Sequence, residues 1–443
     1  MFRKLSLTVT AVAAALLLGV SAWGQAAQAQ RNWKDRAEYD LYDAINKAQD
    51  ANKKIELLNQ WKAKYPQSDY ADLRRAAFIQ AYQQANKGVD LYNFCKEVIT
   101  ADPKDMSCLY WVSLLTTSLN NTAAEAVDTG EKSAHSLLGN LDATFAPDKR
   151  PKEMTEEAAQ KQKKALEAIG HTTLGWCAMS RKNWEAAEAE ITKSLQAEPN
   201  NGQSSQWLGS AMIAQRKIEK QIPGLFHIAR AVAYTGPGEL AAPVKQQYDT
   251  YLTKVYTNFH GDTSGLAEIK ELAKKQPFPP SDFVIKSKDE LLNEKDAEFR
   301  KSNPVLAFWM VIKKELTTPE GEKYFAERLK DTQIPPNMPD VPKKLTGKLI
   351  SMKPAANPKE LVLGIADATT PEVTLKFEEA LRGKVEPGLE LSFSGVPSAF
   401  TKEPFNLTFD VDKDELTGWP VQAAPAKKAA PVKKAPPAAP KKK

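Results

Sequence analysis

The 443-residue chain is long enough for two or three domains or one extended repeat array, and 42% apolar composition lets it bury cores rather than stay disordered. Only three cysteines occur, Cys95, Cys108 and Cys177, which argues against a disulfide framework and against a structural zinc site. The net charge of +6 is local: residues 421–443 carry seven Lys and no acid, and with Arg3 and Lys4 also set aside the remainder stands at −3, so the folded part lacks the basic surface of a nucleic-acid binder.

The chain opens MFRKLSLTVTAVAAALLLGVSAWGQAAQAQ. Arg3 and Lys4 precede a mostly apolar run from Leu5 to Val20, and Ala27-Gln28-Ala29 supplies an A-x-A cleavage site. Residues 1–29 are therefore expected to be a secretory signal peptide, with Gln30 the first mature residue. No Cys stands at the cut, which argues against a lipoprotein anchor. The alternative is an uncleaved membrane anchor. The expected location is outside the bacterial cytoplasm: periplasmic, cell-surface or secreted. In such an oxidising compartment Cys95 and Cys108 can bond; otherwise they are small buried thiols.

From residue 30 to 281 apolar residues recur at helical spacing, and Pro falls chiefly between the helical runs. QWKAKYPQSDYADLRRAAFIQAYQQA keeps that spacing on both sides of Pro66. VDLYNFCKEVITADPKD reaches Pro103 before a new apolar helix, CLYWVSLLTTSLN. Helix, turn, helix, Pro, helix is the pattern of a repeat. The polar stretch from Ala143 to Glu157 predicts a long loop before the helix of EEAAQKQKKALEAIG.

The clearest unit is LGWCAMSRKNWEAAEAEITKSLQAEPN, Leu174 to Asn200. Leu174, Gly175 and Ala178 share one face of its first helix; Ala187, Ile191 and Leu195 share one face of its second. Small residues at Gly175 and Ala187 let two antiparallel helices approach. Asn183 is placed to cap the second helix, and Pro199 stops it. From about Ala168 to Asn201 the chain resembles a tetratricopeptide repeat, a helical hairpin of about 34 residues. It departs from the family at His171 and Ala178, where aromatics are usual, and at Ser194, where a small residue is usual. The next unit, SSQWLGSAMIAQRK, repeats the pair as Leu208 and Gly209, after which Pro223 and Gly224 are expected to break the pattern before LFHIARAVAY. The units ending at Pro66 and Pro103 lack the Gly.

The resemblance implies a curved α-solenoid whose first helices line a concave groove that holds a peptide or protein segment. It assigns Thr172, Trp176 and Met179 to the groove in one unit, and Gln203, Gln206 and Ser210 in the next. The alternative for Trp176 and Met179 is packing against a neighbouring unit. No Arg/Lys clamp for a terminal carboxylate stands among them.

PGELAAPVKQQYDTYLTKVYTNFHG and TSGLAEIKELAKKQPFPPSDF predict further helices, with the array ending near Pro280. Residues 282–332 read as a helical adaptor. Its most apolar helix is NPVLAFWMVIKKEL, and TTPEGEKYFAERLKD opens with a Thr cap, a Pro and early acids. Residues 333–344 form a Pro-rich linker. From 345 to 420 the period falls to two, and LTGKLISM, KELVLGIAD, EVTLKFEE, LELSFSGV and FNLTFDVD predict five strands of a small all-β domain. VEPGLELSFSGVPSAFTKEPFNLTF resembles the later strands of an OB-type barrel, with a sandwich or open sheet as alternatives. The Ala/Pro/Lys composition of residues 421–443 predicts a disordered, solvated tail.

Chemistry-bearing motifs are scarce. There is no Walker loop, HExxH, CxxC or nucleophile elbow, and His135, His171, His227 and His260 each stand alone in their segments. Asp410, Asp412 and Asp414 mimic the start of a calcium loop. The pattern then fails at Glu415 and Val421, where a Gly and a bidentate Glu belong. Phe377, Phe393, Phe400, Phe405 and Phe409 fit either a barrel core or a base-stacking platform. No catalytic residue, metal or cofactor is expected. The expected function is a non-enzymatic interaction scaffold of the cell envelope that holds a protein or peptide partner. The rivals are a self-assembling cell-surface protein and an OB-like nucleic-acid or polyanion binder. The Lys-rich tail adds contact with anionic surfaces.

Overall fold

The computed structural model describes residues 33–339 and 341–420. The signal-cleavage residues Ala27 and Ala29 and the tail beyond residue 420 lie outside the described residues. The chain divides into two compact units, Met1–Lys288 and Asp289–Lys443. Helices make the first, and the second carries a seven-stranded mixed sheet. Among the described residues no helix is long and apolar enough to cross a membrane.

Twelve helices of the first unit follow one another as six hairpins. They are α1 (Arg36–Lys47) with α2 (Ala51–Lys64), α3 (Ala71–Gln84) with α4 (Gly88–Ala101), and α5 (Met106–Ser118) with α6 (Ala124–Thr144). Then come α7 (Glu156–Ser180) with α8 (Trp184–Ala197), α9 (Gly202–Ala214) with α10 (Ile218–Ala233), and α11 (Ala242–His260) with α12 (Leu266–Lys275). From α1 to α11 each helix packs on the next, α12 packs on α10, and α5 also lies against α7, as α7 does against α9. Successive hairpins therefore stack in the same sense, which is how a unit with one apolar face on each side builds a continuous core.

The turn inside the hairpins recurs without the glycine that usually marks it. Asn86, Asn120, Lys182 and Arg216 each end the first helix of a pair with φ of 53°, 50°, 58° and 58°. The chain then doubles back: the Lys87 amide donates to the Tyr82 carbonyl at 2.9 Å, and the Asn183 amide to the Ala178 carbonyl at 2.9 Å. These bonds close the last helical carbonyls in the Schellman manner. The connectors between hairpins also recur. Pro103 and Pro199 end a helix, and two residues later an Asx side chain starts the next. Asp105 Oδ1 accepts from the Cys108 amide at 2.8 Å, and Asn201 Oδ1 from the Ser204 amide at 2.9 Å. Left-handed backbone costs a residue that carries a Cβ about 1–2 kcal/mol, so Arg216→Gly should raise stability by about 0.5–1 kcal/mol after the entropy of the unfolded glycine is counted. Asn86→Gly should gain less, because Asn tolerates this region. Urea titrations of the two variants check the order; a lower midpoint for Arg216→Gly would refute it.

Gly175 and Gly209 set two close helix approaches. A Cβ at Gly175 would collide with the Ile191 side chain. A Cβ at Gly209 would lie 2.7 Å from the Gly224 carbonyl and 2.8 Å from the Ile228 amide nitrogen, atoms that no rotamer change can move away. The expected break at Pro223 and Gly224 does not occur, because α10 runs through both from Ile218 to Ala233. Pro223 sits in the second turn, where only the carbonyl of Glu219 loses its partner. Gly224 supplies the bare backbone against which Gly209 packs.

In the second unit α13 (Lys288–Ser302) buries none of its residues. α14 (Pro304–Thr317), the short α15 (Gly321–Tyr324) and a π-helical turn over Phe325–Leu329 bring Trp309, Ile312, Leu316 and Leu329 into one core with the sheet. The sheet contains β1 (Leu345–Lys353), β2 (Glu360–Gly364), β3 (Val373–Lys376), β4 (Glu390–Phe393), β5 (Val396–Lys402), β6 (Phe405–Asp410) and β7 (Leu416–Thr417). Its order is β5-β6-β3-β2-β1-β4-β7, antiparallel except for the β3–β6 ladder, which pairs Val373 with Leu407 and Leu375 with Phe409. Leu345, Leu361, Leu363, Val373, Leu375, Leu391, Phe393, Leu407 and Phe409 are fully buried at the centre. The expected strand LELSFSGV ends at Phe393, and VPSAFTK forms a further strand beyond Ser394-Gly395. The physical reason is a change of partner: residues before the break pair with β1, and residues after it pair with β6. At the break Gly395 exchanges two backbone hydrogen bonds with Ile334, at 2.8 and 3.0 Å. Ile334, in the Pro-rich stretch read as a linker, is thereby buried and bound to the sheet.

Candidate partner-binding surface

The residues assigned to a groove fall into two groups. The structure does not bring Thr172, Trp176 and Met179 onto one open face. The Thr172 hydroxyl hydrogen-bonds Ser194 Oγ on α8 at 2.6 Å, and Met179 packs on the cluster of Ala187, Ile191 and Leu195. Trp176, 6% exposed, instead packs with Val127 of α6 and Trp207 of α9. Three-and-four spacing places residues on a common side of a helix. It does not say which neighbour covers that side, and α7 is flanked by both α6 and α8. Trp176 is therefore a core residue between units. Ser194 in turn lies 3.4 Å from Ser204 on α9, so hydroxyls link three successive helices through the buried interior. The departure from a small residue at Ser194 was the one sequence sign of that link.

The packing residues stand inside the array. Ala187, Ile191 and Leu195 have no exposed surface, Leu208 likewise, and Leu174 is 7% exposed. Gly175 and Gly209 are buried and Ala178 is half-buried. The Pro199 carbonyl accepts from Arg230 at 2.9 Å.

Gln203, Gln206 and Ser210 do come together. Along α9 the Gln203 side-chain amide donates to Gln206 Oε1 at 2.6 Å, and the Gln206 amide donates to Ser210 Oγ at 2.9 Å. Gln206 is 3% exposed, whereas Gln203 and Ser210 are half-buried. The chain is directional. Gln206 is held from both sides, Gln203 Oε1 is left to accept, and the Ser210 proton is left to donate. Seven residues of helix separate the two by about 10 Å along the axis.

The histidines do separate things. His171 Nδ1 lies 2.7 Å from Glu190, and His260 lies 2.7 Å from the Lys286 carbonyl. Burial pushes the Glu190 carboxyl up, but hydrogen bonds from Lys193 and His171 outweigh it and hold it low. His227 is 1% exposed, its Nδ1 has no partner, and its ring meets Phe278 edge-on at 5.6 Å. Burial, with Arg230 adding repulsion, lowers its pKa to about 3. An unfolded His titrates near 6.5, so between those values the unfolded chain holds the extra proton and stability rises with pH. At pH 5 the fold should be about 2 kcal/mol weaker than at pH 7 from this group alone. Urea midpoints across pH 4.5–7.5 measure the slope, and His227→Phe should flatten it; an equal slope in the variant would assign the effect elsewhere.

Cys95, Cys108 and Cys177 are free and buried. Burial and the neighbouring Cys108 thiol push the Cys95 thiol far up, the opposite of a reactive thiolate. Among the described residues no three His, Cys, Asp or Glu side chains gather to hold a metal. Asp410 ends β6, and Lys413, between Asp412 and Asp414, pairs with Glu379 at 2.5 Å.

In the second unit the aromatics make no open platform. Phe377, Phe393 and Phe409 are buried, with Phe393 and Phe409 edge-to-face at 5.3 Å. Phe400 packs on Phe325 at 5.0 Å, and Phe405 on Trp309 at 6.0 Å. The base-stacking set is thus shared between the core under the sheet and the seat of the preceding helices. Nothing in the sequence pattern points to Glu372, which is 1% exposed. Its Oε1 accepts from Lys313 at 2.6 Å, and its Oε2 accepts from the amides of Ile365 at 2.9 Å and Ala366 at 2.7 Å. Lys313 lies on α14, so this carboxylate fixes that helix to the turn after β2. Neither the family models nor the curated proteins contain a match to this chain.

Proposed function

We propose that the chain is a non-enzymatic interaction scaffold of the bacterial cell envelope, in which a tetratricopeptide-like array holds an extended segment of a protein partner. The observation that carries the reading is the Gln203–Gln206–Ser210 chain. It leaves one acceptor and one donor in fixed positions on α9, the complement of a backbone N–H and C=O a few residues apart in an extended segment. Stacked hairpins with recurring turns at Asn86, Asn120, Lys182 and Arg216 support the repeat assignment. The antiparallel and parallel pairings of the β unit support the OB-like one, because β4 and β5 read as a single bent strand that closes β1 onto β6. Export rests on the signal-like N-terminus.

The test uses the full chain, expressed with its own leader and tagged for recovery from envelope extract. Wild type should retain a partner that Gln203→Ala/Ser210→Ala loses, with unchanged helicity by circular dichroism. Equal recovery by both proteins would sink the α9 assignment. N-terminal sequencing of the exported form should begin at Gln30; an intact Met1 on a membrane-bound form would support the anchor instead.

A further inference from the structure

A cleft of about 260 Å³ opens on the first unit between α4 and α6. Ile99, Pro103 and Leu109 make its apolar wall, and Lys96, Lys132 and Ser133 supply its polar atoms. Ser133 is 2% exposed and its Oγ has no hydrogen-bond partner. A buried hydroxyl without a partner is costly, so one left unbonded in the wall of a cavity marks a place where a partner belongs. Of the other hydroxyls at the cleft, Thr100 donates to the Lys96 carbonyl at 2.8 Å and Thr129 to the Glu125 carbonyl at 2.7 Å, and Ser136 stands one helical turn beyond Ser133.

The charge at the cleft is unbalanced by one. Lys96 is matched by Glu125 at 2.5 Å, across the gap between α4 and α6. Of the other acids on α6, Asp128 and Glu131 are turned to Arg181 at 2.6 and 3.0 Å. Lys132 is exposed and has no ion pair among the described residues. A free ammonium, a free hydroxyl proton and an apolar wall together suit one chemistry: a monoanion with a short hydrocarbon body. The volume lies just below the usual range for small-molecule sites, which limits the body to a few carbons.

We propose that this cleft binds a small amphiphilic carboxylate. The carboxylate takes hydrogen bonds from Lys132 Nζ and, once the Ser133 side chain rotates toward the cleft, from Ser133 Oγ, and its hydrocarbon part lies on Ile99, Pro103 and Leu109. The Lys96–Glu125 pair closes one end.

Titration calorimetry on the full chain at low salt tests this, with hexanoate as the probe and acetate, hexan-1-ol and inorganic phosphate as comparators. Hexanoate should bind one to one and more tightly than each comparator. Lys132→Ala and Ser133→Ala should each weaken it about tenfold, the size expected for a hydrogen bond to a charged group. Both variants should fold: Lys132 is at the surface, and Ser133→Ala removes a hydroxyl that bonds nothing, so its thermal midpoint should hold or rise. Absence of saturable hexanoate binding overturns the proposal, as does binding that both variants leave unchanged. Tighter binding of phosphate than of hexanoate also overturns it, by showing a bare anion site without use of the apolar wall.

Discussion

Glu372→Ala should destabilise the second unit by about 3–5 kcal/mol, the larger part coming from two backbone amides left without an acceptor. In the native protein Oε2 takes both the Ile365 and the Ala366 amides, and no other acceptor is bonded to them. Lys313, whose side chain is 37% exposed, can turn to water when its partner goes, so its loss weighs less. Glu372→Gln keeps one carbonyl oxygen and should fall between. Lys313→Met leaves a carboxylate that is 1% exposed with only the amides for company, and should cost about 1–3 kcal/mol. Because the chain has two units, a single unfolding midpoint mixes their responses. Hydrogen exchange followed by peptide is the better measurement. Protection should fall from residue 304 to 410 in Glu372→Ala while α1 to α12 stay protected. Unchanged protection in the second unit would show that the amides find other acceptors.

The sequence disclosed the repeat where small residues and prolines carry it and concealed it where backbone conformation does. Gly175, Ala187 and Pro199 could be read because their residue types have few other uses at those spacings. Lys182 and Arg216 could not, since nothing about a lysine or arginine announces φ near 58°. Pro223 misled for the converse reason: it is a helix breaker by type, yet near a helix start it removes a single bond. Trp176 illustrates a limit of periodicity, which gives a side but not its occupant. In the β unit, alternation found the strands that bury one face. The short β7 and the switch of partners at Ser394-Gly395 depend on pairings that only the assembled sheet creates. Glu372 and Arg230 were invisible because their partners are backbone groups, and the Arg230 acceptors lie 31 to 46 residues away.

Arg230→Met should be the most damaging single change in the helical array, lowering stability by about 4 kcal/mol. Arg230 is 3% exposed and pairs with no carboxylate among the described residues. Its guanidinium donates instead to three carbonyls: Ala273 at 3.0 Å, Gln276 at 2.9 Å and Pro199 at 2.9 Å. Ala273 and Gln276 close the end of α12, and Pro199 closes the end of α8, so one cation meets the negative ends of two helices from different hairpins. The Tyr234 ring at 4.8 Å covers its face. Burial lowers the pKa of Arg230, but an arginine starts high enough to remain charged at any pH where the protein is folded. Methionine fills most of the volume and leaves three carbonyls unpaired. Lysine restores the charge but reaches one or two of them, so Arg230→Lys should recover only part of the loss. Arg74 is an internal comparison. It lies over Trp61 and donates to the carbonyls of Tyr65 at 2.5 Å and of Trp61 and Pro66 at 3.4 Å each, within one helix end. With one strong bond rather than three, Arg74→Met should cost about half as much. At about 2–4 °C per kcal/mol for a unit of this size, the thermal midpoint of the array should drop by about 10 °C in Arg230→Met and by about 5 °C in Arg74→Met. The order of the two decides the argument. If Arg74→Met proves the more damaging, local capping of one helix outweighs the joining of two hairpins, and the array is held by its individual pairs rather than by the links between them.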